Sequence, residues 1–125
     1  MREVTVRIGE LAEQAGVSVR SLRYYEEHGL LASTRSSGGQ RTYTDDAVAR
    51  VHLLQRLYAA GLSSRTIVDL MPCVDKPSAE QTDETWARLL EEREQLDQRI
   101  TELLRTRDTL DEIITVNRDH RQSYP

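Results

Sequence analysis

The chain has 125 residues, of which 38% are hydrophobic and 5% aromatic, and it contains no phenylalanine. This length allows one compact domain plus an extended element, and the composition predicts a small core and a helix-rich architecture that can require a partner for stability. The N-terminus has no apolar stretch of the kind that a signal peptide or a membrane span needs, so we expect a cytoplasmic protein without a membrane partner. Its single cysteine excludes a thiolate metal site built from one chain and gives no support to an iron–sulfur cluster.

The net charge of -4 hides an asymmetry between the two halves of the chain. Residues 1–65 contain nine arginines against seven acids, whereas residues 66–125 contain eight basic residues against fourteen acids. Only positive charge close to phosphate groups contributes to nucleic-acid binding. An acidic second half is therefore compatible with DNA contact by the first half.

The first predicted elements are two short helices joined by a turn. Apolar residues recur at helical spacing in the first helix, at Ile8, Leu11, Ala12 and Ala15. Gly16 can take the positive φ that the turn requires, and Ser18 is placed to cap a second helix, which we predict from about Ser18 to His28. Gly29 then ends it. This is the helix-turn-helix pattern, whose second helix enters the major groove of DNA with its N-terminal residues nearest the bases.

The second helix carries the candidates for sequence reading. Arg20 and Arg23 lie three residues apart on one face, where each can reach a base edge or a phosphate. Of the adjacent Tyr24 and Tyr25, we expect one to pack inward and the other to offer its hydroxyl to a phosphate. The alternative is an ordinary helical hairpin with solvated arginines, because glycine turns between helices are common in proteins that never touch DNA.

A basic hairpin follows the two helices. We predict two short strands, residues 32–35 and 40–44, on either side of the sequence Ser-Ser-Gly-Gly. Arg35 and Arg41 flank its tip, where guanidinium groups match phosphate geometry and glycine lets the backbone approach DNA closely. Such a wing would position the protein while the helix reads the sequence. The order of helix, turn, helix and basic hairpin favours DNA binding over the plain hairpin.

Two further helices complete the predicted first domain. The segment Thr44–Asp46 predicts a capped helix start with acids in its first turn, and Gly61 ends that helix. Ser63 or Ser64 can cap the next helix, which we expect Pro72 to end. A hinge is predicted after Pro72.

The last predicted element is a long helix, from about Thr82 to Asn117, with a heptad repeat. Leucine occupies four consecutive d positions, at Leu89, Leu96, Leu103 and Leu110. The a positions hold Trp86, Arg93, Ile100, Arg107 and Ile114. An apolar stripe of about 50 Å needs a partner helix, and nothing else in the chain is long enough to cover it. We therefore expect the helix to pair with its copy in a second subunit by twofold symmetry.

Two arginines at a positions require a compensating interaction in this coiled coil. They cost stability unless they reach flanking acids, in which case they can fix register and partner choice. The acids within reach are Glu92, Asp97, Asp108 and Asp111. The alternative, a helix packed on its own domain without a dimer, is opposed by the length of the stripe. The residues expected at the dimer contact are Trp86, Leu89, Leu96, Ile100, Leu103, Leu110 and Ile114.

Three segments together resemble the MerR family of bacterial transcription regulators: IGELAEQAGVSVRSLRYYEEHGLL, SGGQRTY and LYAAGLS. With the long helix, the resemblance covers nearly the whole chain. It implies a mainly α fold, with a winged helix-turn-helix domain and small β-hairpin wing at 1–75, a hinge at 76–81, a helix forming an antiparallel dimeric coiled coil at 82–118, and a short tail at 119–125. It places Ser18, Arg20, Arg23 and Tyr25 on the recognition helix, and Arg35, Gly39, Gln40, Arg41 and Tyr43 on the wing. Many members carry an aromatic residue at the position of Gln40.

The resemblance also implies a mechanism. A homodimer would bind a pseudo-palindromic promoter site, with its recognition helices in successive major grooves. An activating signal would make the dimer kink and untwist an overlong spacer, which aligns both promoter elements for RNA polymerase. This distortion costs about 1–6 kcal/mol, so a small effector energy can shift the balance. The alternative is a coiled-coil interaction module that regulates through protein contacts without reading DNA.

The sequence does not indicate the signal. Metal-responsive members of the family carry two cysteines just after the long helix, where this chain has none, so metal sensing is not expected and no cofactor is predicted. Trp86 is either one wall of a small-molecule effector site or an ordinary core residue. Cys73 is most simply a small buried hydrophobe, with a redox role as the alternative.

An enzyme is not expected from this sequence. It has no glycine-rich phosphate loop, metal cluster or nucleophile–base motif. The acidic pairs Glu26-Glu27 and Glu91-Glu92 are interpreted as solvated helix faces.

Overall fold

The computed structural model describes residues 5–77 and 83–123, which form two compact units that divide within the gap. Residues 78–82, which contain most of the predicted hinge, lie outside the described residues, as do residues 124–125 of the predicted tail. The elements in chain order are β1 (Thr5–Arg7), α1 (Ile8–Ala15), α2 (Val19–Glu27), β2 (Thr34–Arg35), β3 (Arg41–Thr44), α3 (Asp46–Ala59), α4 (Ser64–Asp75) and α5 (Asp83–Ser123). The predicted fold class, mainly α with a small antiparallel sheet and a long final helix, is confirmed. We call residues 5–77 the head.

The helix-turn-helix forms where the sequence predicts it. Gly16 follows α1 with φ +72°, and its N–H donates to the carbonyl groups of Ala12 and Glu13. Ser18 precedes α2 in an extended conformation, and its Oγ accepts from the Ser21 N–H at 3.0 Å. These contacts satisfy backbone groups that a helix end otherwise leaves open. The turn between α1 and α2 is therefore stabilised by residues that are neighbours in the sequence.

The sheet contains one strand that was not predicted. The central strand β3 pairs with β2, as the hairpin requires, and also with β1 on its other side. Val6 lies opposite Tyr43, and Arg7 lies opposite Thr42. β1 has three residues, which are too few to show an alternating pattern. The wing is therefore the outer part of a three-stranded sheet.

Two predicted helix boundaries in the head are wrong. Thr44 does not cap α3, because it is the last residue of β3 and pairs with Thr5. Asp45 occupies the N-cap position without a side-chain hydrogen bond. Pro72 does not end α4, which continues to Asp75 with the proline inside it. The predicted cap by Ser63 is confirmed, since its Oγ accepts from the Thr66 N–H at 3.2 Å.

The last turn of α4 is held by contacts from elsewhere in the head. Arg50 of α3 donates to both carboxylate oxygens of Asp75, from Nη1 at 2.6 Å and from Nη2 at 2.9 Å. Its Nε also donates to the Leu30 carbonyl at 2.9 Å. Hydrogen bonding from Arg50 lowers the pKa of Asp75 below its ordinary value. These bonds stabilise the turn in which Pro72 cannot donate a backbone hydrogen bond.

The core of the head draws on all of its helices and on β3. Its most deeply buried side chains are Tyr43, Leu11, Leu22, Leu30, Leu54, Ile67 and Val51. Helix α1 packs on α2 and on α3, and α3 packs on α4, through leucine and branched side chains.

The second unit is the single helix α5, which extends further than predicted. It runs for 41 residues, so residues 119–123, predicted as a tail, are helical. No described residue of α5 is buried within the chain. Leu103 is 65% exposed, and the other described apolar residues of the heptad repeat are at least partly exposed. In the ranges that the structure describes, no helix is both long and apolar enough to cross a membrane.

Candidate nucleic-acid interface

The N-terminal half of α2 presents an open, basic surface. Arg20 and Arg23 are exposed, and neither forms an ion pair within residues 5–77 and 83–123. Ser18 is exposed as well, but its hydroxyl accepts from the Ser21 N–H and donates to Ser21 Oγ at 3.0 Å. Two guanidinium groups are therefore available to a ligand at this surface, and the serine already has a structural role.

The two adjacent tyrosines divide as the sequence predicts, one inward and one outward. Tyr25 is 8% exposed, and its ring stacks on Tyr58 with centroids 5.9 Å apart. Burial, and then the proximity of Tyr58, raises the pKa of Tyr25. Tyr24 is 40% exposed, and its hydroxyl lies 2.6 Å from Ser64 Oγ. Tyr25, predicted as a DNA contact, is thus a core residue that can support the recognition helix.

The wing tip is braced by its own arginine. Arg35 Nη1 donates to the Gly39 carbonyl at 2.9 Å, and Gly39 takes φ +80°. The Ser36 N–H donates to the Gln40 carbonyl at 2.7 Å, which closes the turn. Gln40 is exposed. The glycine is therefore required by the turn, because a side chain at this positive φ would be strained.

Glu26 joins the recognition helix to the wing. Its Oε2 accepts from Arg41 Nη1 at 2.6 Å, and its Oε1 accepts from the Tyr43 hydroxyl at 2.7 Å. The Glu26 side chain is 12% exposed, whereas that of Arg41 is 48% exposed. The interpretation of Glu26 as a solvated residue is therefore wrong. Its partners lie 15 and 17 residues further along the chain, and no local pattern indicates them.

Protonation of this cluster follows from its contacts. Burial raises the pKa of Glu26. This effect is outweighed by hydrogen bonds from Ser33 and Tyr43 and by the charges of Arg41 and Arg35, which lower the pKa, so the net pKa lies below the ordinary value. Burial, and then the bond to Glu26, raises the pKa of Tyr43 to about 12. Tyr43 is 1% exposed, so its predicted contact with DNA is corrected to a role in the core.

An open groove lies between the end of β1, the recognition helix and the wing. It has a volume of about 390 Å³. Its lining residues are Arg7, Ile8, Arg23, Gln40 and Arg41. Three elements that are distant in sequence thus contribute arginine to one concave surface. Arg7 was not among the predicted site residues, because the strand that positions it was not predicted either.

The remaining predicted residues lie outside this interface. Cys73 is half-buried in α4. No group of three His, Cys, Asp or Glu side chains in the described ranges is arranged to hold a metal ion. The seven residues predicted at a dimer contact all lie on α5.

Two family descriptions match the chain. "MerR HTH family regulatory protein" matches residues 6–72, and "MerR, DNA binding" matches residues 48–113. The first match contains α1, α2, the wing, α3 and most of α4. The second continues from α3 into the long helix.

Individual proteins show the same similarity. The chain is 38% identical over 100 residues to an HTH-type transcriptional activator SoxR homolog from Chromobacterium violaceum, covering 74% of this chain and 67% of that protein. It is 52% identical over 62 residues to the nodulation protein NolA of Bradyrhizobium elkanii, covering 49% of this chain but 28% of NolA. The chain thus spans about two thirds of the first relative and about a quarter of the second.

A solved structure extends the similarity to the fold. HiNmlR, a MerR family regulator lacking the sensor domain and bound to promoter DNA, aligns with a TM-score of 0.74 and 27% identity. The alignment covers 90% of this chain and 89% of that chain.

Proposed function

The chain belongs to the MerR family of helix-turn-helix regulatory proteins, and from this premise we propose that it binds a pseudo-palindromic promoter site as a homodimer and distorts the DNA between the half-sites. Family membership makes it a DNA-binding transcription regulator and not an enzyme.

One observation carries the proposed DNA contact. The recognition helix exposes two arginines without ion-pair partners in the described ranges, and the wing beside it exposes Arg41, whose side chain is 48% exposed and binds Glu26 through Nη1. An isolated cluster of positive charge on a protein surface is repulsive, and phosphate oxygens relieve that repulsion. The proposed DNA contacts are Ser18, Arg20, Arg23, Arg35, Gly39, Gln40 and Arg41, with Tyr25 and Tyr43 supporting them from the core.

The exposed stripe of α5 supports the homodimer. Complete burial of one leucine side chain contributes about 1.5–3 kcal/mol, and a single chain leaves the heptad leucines at least partly exposed to water. A second copy of α5 would cover them. The proposed dimer contacts are Trp86, Leu89, Leu96, Ile100, Leu103, Leu110 and Ile114. An antiparallel arrangement would set the two heads apart at opposite ends of the coiled coil.

The regulatory step is proposed from the family mechanism. HiNmlR was crystallised on promoter DNA, and a dimer of similar heads would engage two successive major grooves. Bending or untwisting the intervening DNA would change how the promoter elements face RNA polymerase. The polymerase is therefore an indirect partner, and the site of action is the bacterial cytoplasm.

Selection of bound duplexes from a random DNA library by the full chain tests the proposal. At two salt concentrations, we expect enrichment of an inverted repeat whose affinity falls as salt rises, because bound phosphates release counterions. Sedimentation of the same protein should show a dimer. No enrichment would contradict the proposed function.

Two variants then test the assignment of the recognition helix on the selected duplex. Arg20→Ala should weaken binding, and it should relax base preference if Arg20 contacts a base. Arg105→Ala is the matched control, because it removes the same charge at a heptad f position of α5, away from the expected seam. Equal affinity for both variants would contradict the assignment of Arg20.

A further inference from the structure

The groove between β1, α2 and the wing concentrates positive charge in a way that the helix-turn-helix pattern does not require. Arg7 comes from the end of β1, Arg23 from the middle of α2 and Arg41 from the start of β3. All three residues are exposed. Three guanidinium groups around one open concavity repel each other unless an anion lies among them.

Among the described residues, Glu26 is the acid that pairs with these arginines, and it leaves most of their charge available. Glu26 binds Arg41 through Nη1 alone, so the rest of that guanidinium keeps its donors. Within residues 5–77 and 83–123, Arg7 and Arg23 have no ion-pair partner. The three arginines of the groove and the carboxylate of Glu26 therefore leave an excess of about two positive charges.

Within the part of the chain that the structure describes, no ion pair or helix cap explains the Arg7 side chain. It occupies the N-cap position of α1, but it makes no side-chain capping hydrogen bond. Its backbone lies opposite Thr42 in the sheet, so the strand pairing itself places Arg7 beside the wing. Truncation of the side chain would leave the cap and the sheet ladder intact.

We propose that this groove binds one phosphate of the DNA backbone and that Arg7 contacts it together with Arg23 and Arg41. The inference rests on the proposed function, because the groove lies between the two elements that would hold DNA. Guanidinium groups bind phosphate oxygens through parallel hydrogen bonds. Half-buried Ile8 adds apolar surface against which a deoxyribose can pack. The contact is a positioning contact without sequence information.

The test compares Arg7→Ala with wild type on the selected duplex over a series of salt concentrations. Loss of one phosphate contact in each head should lower the slope of log K against log salt by about 0.9 per head, or about 1.8 for a dimer. Affinity at low salt should fall by about tenfold or more, equally for matched and mismatched sites. Arg7→Lys should retain part of the slope, because it keeps the charge but not the paired donors.

Arg105→Ala is the control for loss of a positive charge elsewhere in the chain, and it should leave the slope of log K against log salt unchanged. Thermal unfolding of Arg7→Ala should match wild type, because the side chain caps nothing. A wild-type protein that binds DNA with the same slope as Arg7→Ala would overturn the phosphate site and leave the proposed function intact. A wild-type protein that enriches no duplex would contradict both.

A free anion is the other source of the same chemistry, and a second measurement separates it from DNA. Single phosphates of the selected duplex are replaced by neutral methylphosphonates. At one position per half-site, we expect Arg7→Ala to cause no further loss of affinity, because the phosphate that Arg7 contacts no longer carries a charge. Calorimetry of the DNA-free protein with inorganic pyrophosphate tests the free anion. The assignment to DNA would be overturned if pyrophosphate bound the wild type and not Arg7→Ala, while the two proteins bound DNA with equal affinity.

Discussion

The head and the long helix reach their structures by opposite routes. In the head, leucine and branched side chains from four helices are buried against each other within one chain. In α5, no described residue is buried, although the sequence repeats apolar residues every seven positions. The head is thus specified by contacts inside the chain, whereas a second copy would cover the apolar stripe of the helix in the proposed dimer.

The largest expected effect concerns that surface. Leu103→Asp places a charge at a central d position, and the proposed dimer would have to bury two such charges, one from each chain. We expect the dissociation constant of the dimer to rise by more than about 100-fold, measured by sedimentation equilibrium. Gln98→Asp is the matched control, because it adds the same charge at an f position. Equal effects of the two variants would contradict the proposed seam.

The next effect should be confined to the head. Leu54 is fully buried, so Leu54→Ala should lower the free energy of unfolding by about 2–5 kcal/mol in urea. Val68→Ala is the control, since Val68 is 39% exposed and its truncation should cost about 0.5 kcal/mol or less. If Leu54→Ala also changed the dissociation constant of the dimer, the two regions would be coupled and the comparison would fail.

Glu26 provides a test in which the sign of the effect is informative. Removing a negative charge beside DNA should strengthen binding if charge alone matters. We expect Glu26→Gln to weaken DNA binding by about threefold to tenfold instead, because it loosens Arg41 and the wing. Tyr43→Phe is the control, since it removes the hydroxyl bond to Glu26 and leaves the ion pair in place. Tighter binding by Glu26→Gln would show that the carboxylate competes with phosphate for Arg41.

The same cluster makes head stability depend on pH in two windows. The pKa of Glu26 is lowered from 4.5, so its contribution is present above that value and is lost as pH falls through the folded pKa. The pKa of Tyr43 is raised from 10.0 to about 12, so its contribution is present below pH 10 and is lost as pH rises towards 12. Urea unfolding across both ranges should show flatter profiles in Glu26→Gln at the acid end and in Tyr43→Phe at the alkaline end.

The smallest expected effect is at the cap of the recognition helix. Ser18→Ala should destabilise the head by about 1 kcal/mol through loss of the bond to the Ser21 N–H. Ser18→Asp keeps a capping acceptor and should restore stability, but its charge should weaken DNA binding if DNA passes this helix end. Unfolding and DNA titration of both variants separate the two roles. Unchanged DNA binding by Ser18→Asp would move the interface away from this end of α2.

Elements whose cause lies within a few residues could be predicted from the sequence. The turn at Gly16 and the caps at Ser18 and Ser63 depend on neighbours in the chain, and the structure has them where the sequence predicts. The long helix also forms, although it continues to Ser123, beyond its predicted end. Local signals also suggested two features that tertiary contacts override. Thr44 pairs in the sheet instead of capping α3, and α4 passes through Pro72.

Features that depend on residues far apart in the chain were not predicted from the sequence. Glu26 and Arg41 are 15 residues apart, and Arg50 and Asp75 are 25 residues apart. A surface glutamate and a paired glutamate look the same in a sequence, because only the fold determines which donors reach the carboxylate. Arg7 was missed for a related reason, since a three-residue strand becomes recognisable once its partner β3 is known.

The bidentate bond between Arg50 and Asp75 has a mechanical consequence. Asp75 is the last residue of α4, and the same arginine holds the carbonyl of Leu30, in the segment between the recognition helix and the wing. The exit of the chain from the head is therefore anchored to the segment that joins both DNA-contacting elements. A force applied at Asp75 would therefore be transmitted through Arg50 to the segment that joins the recognition helix and the wing.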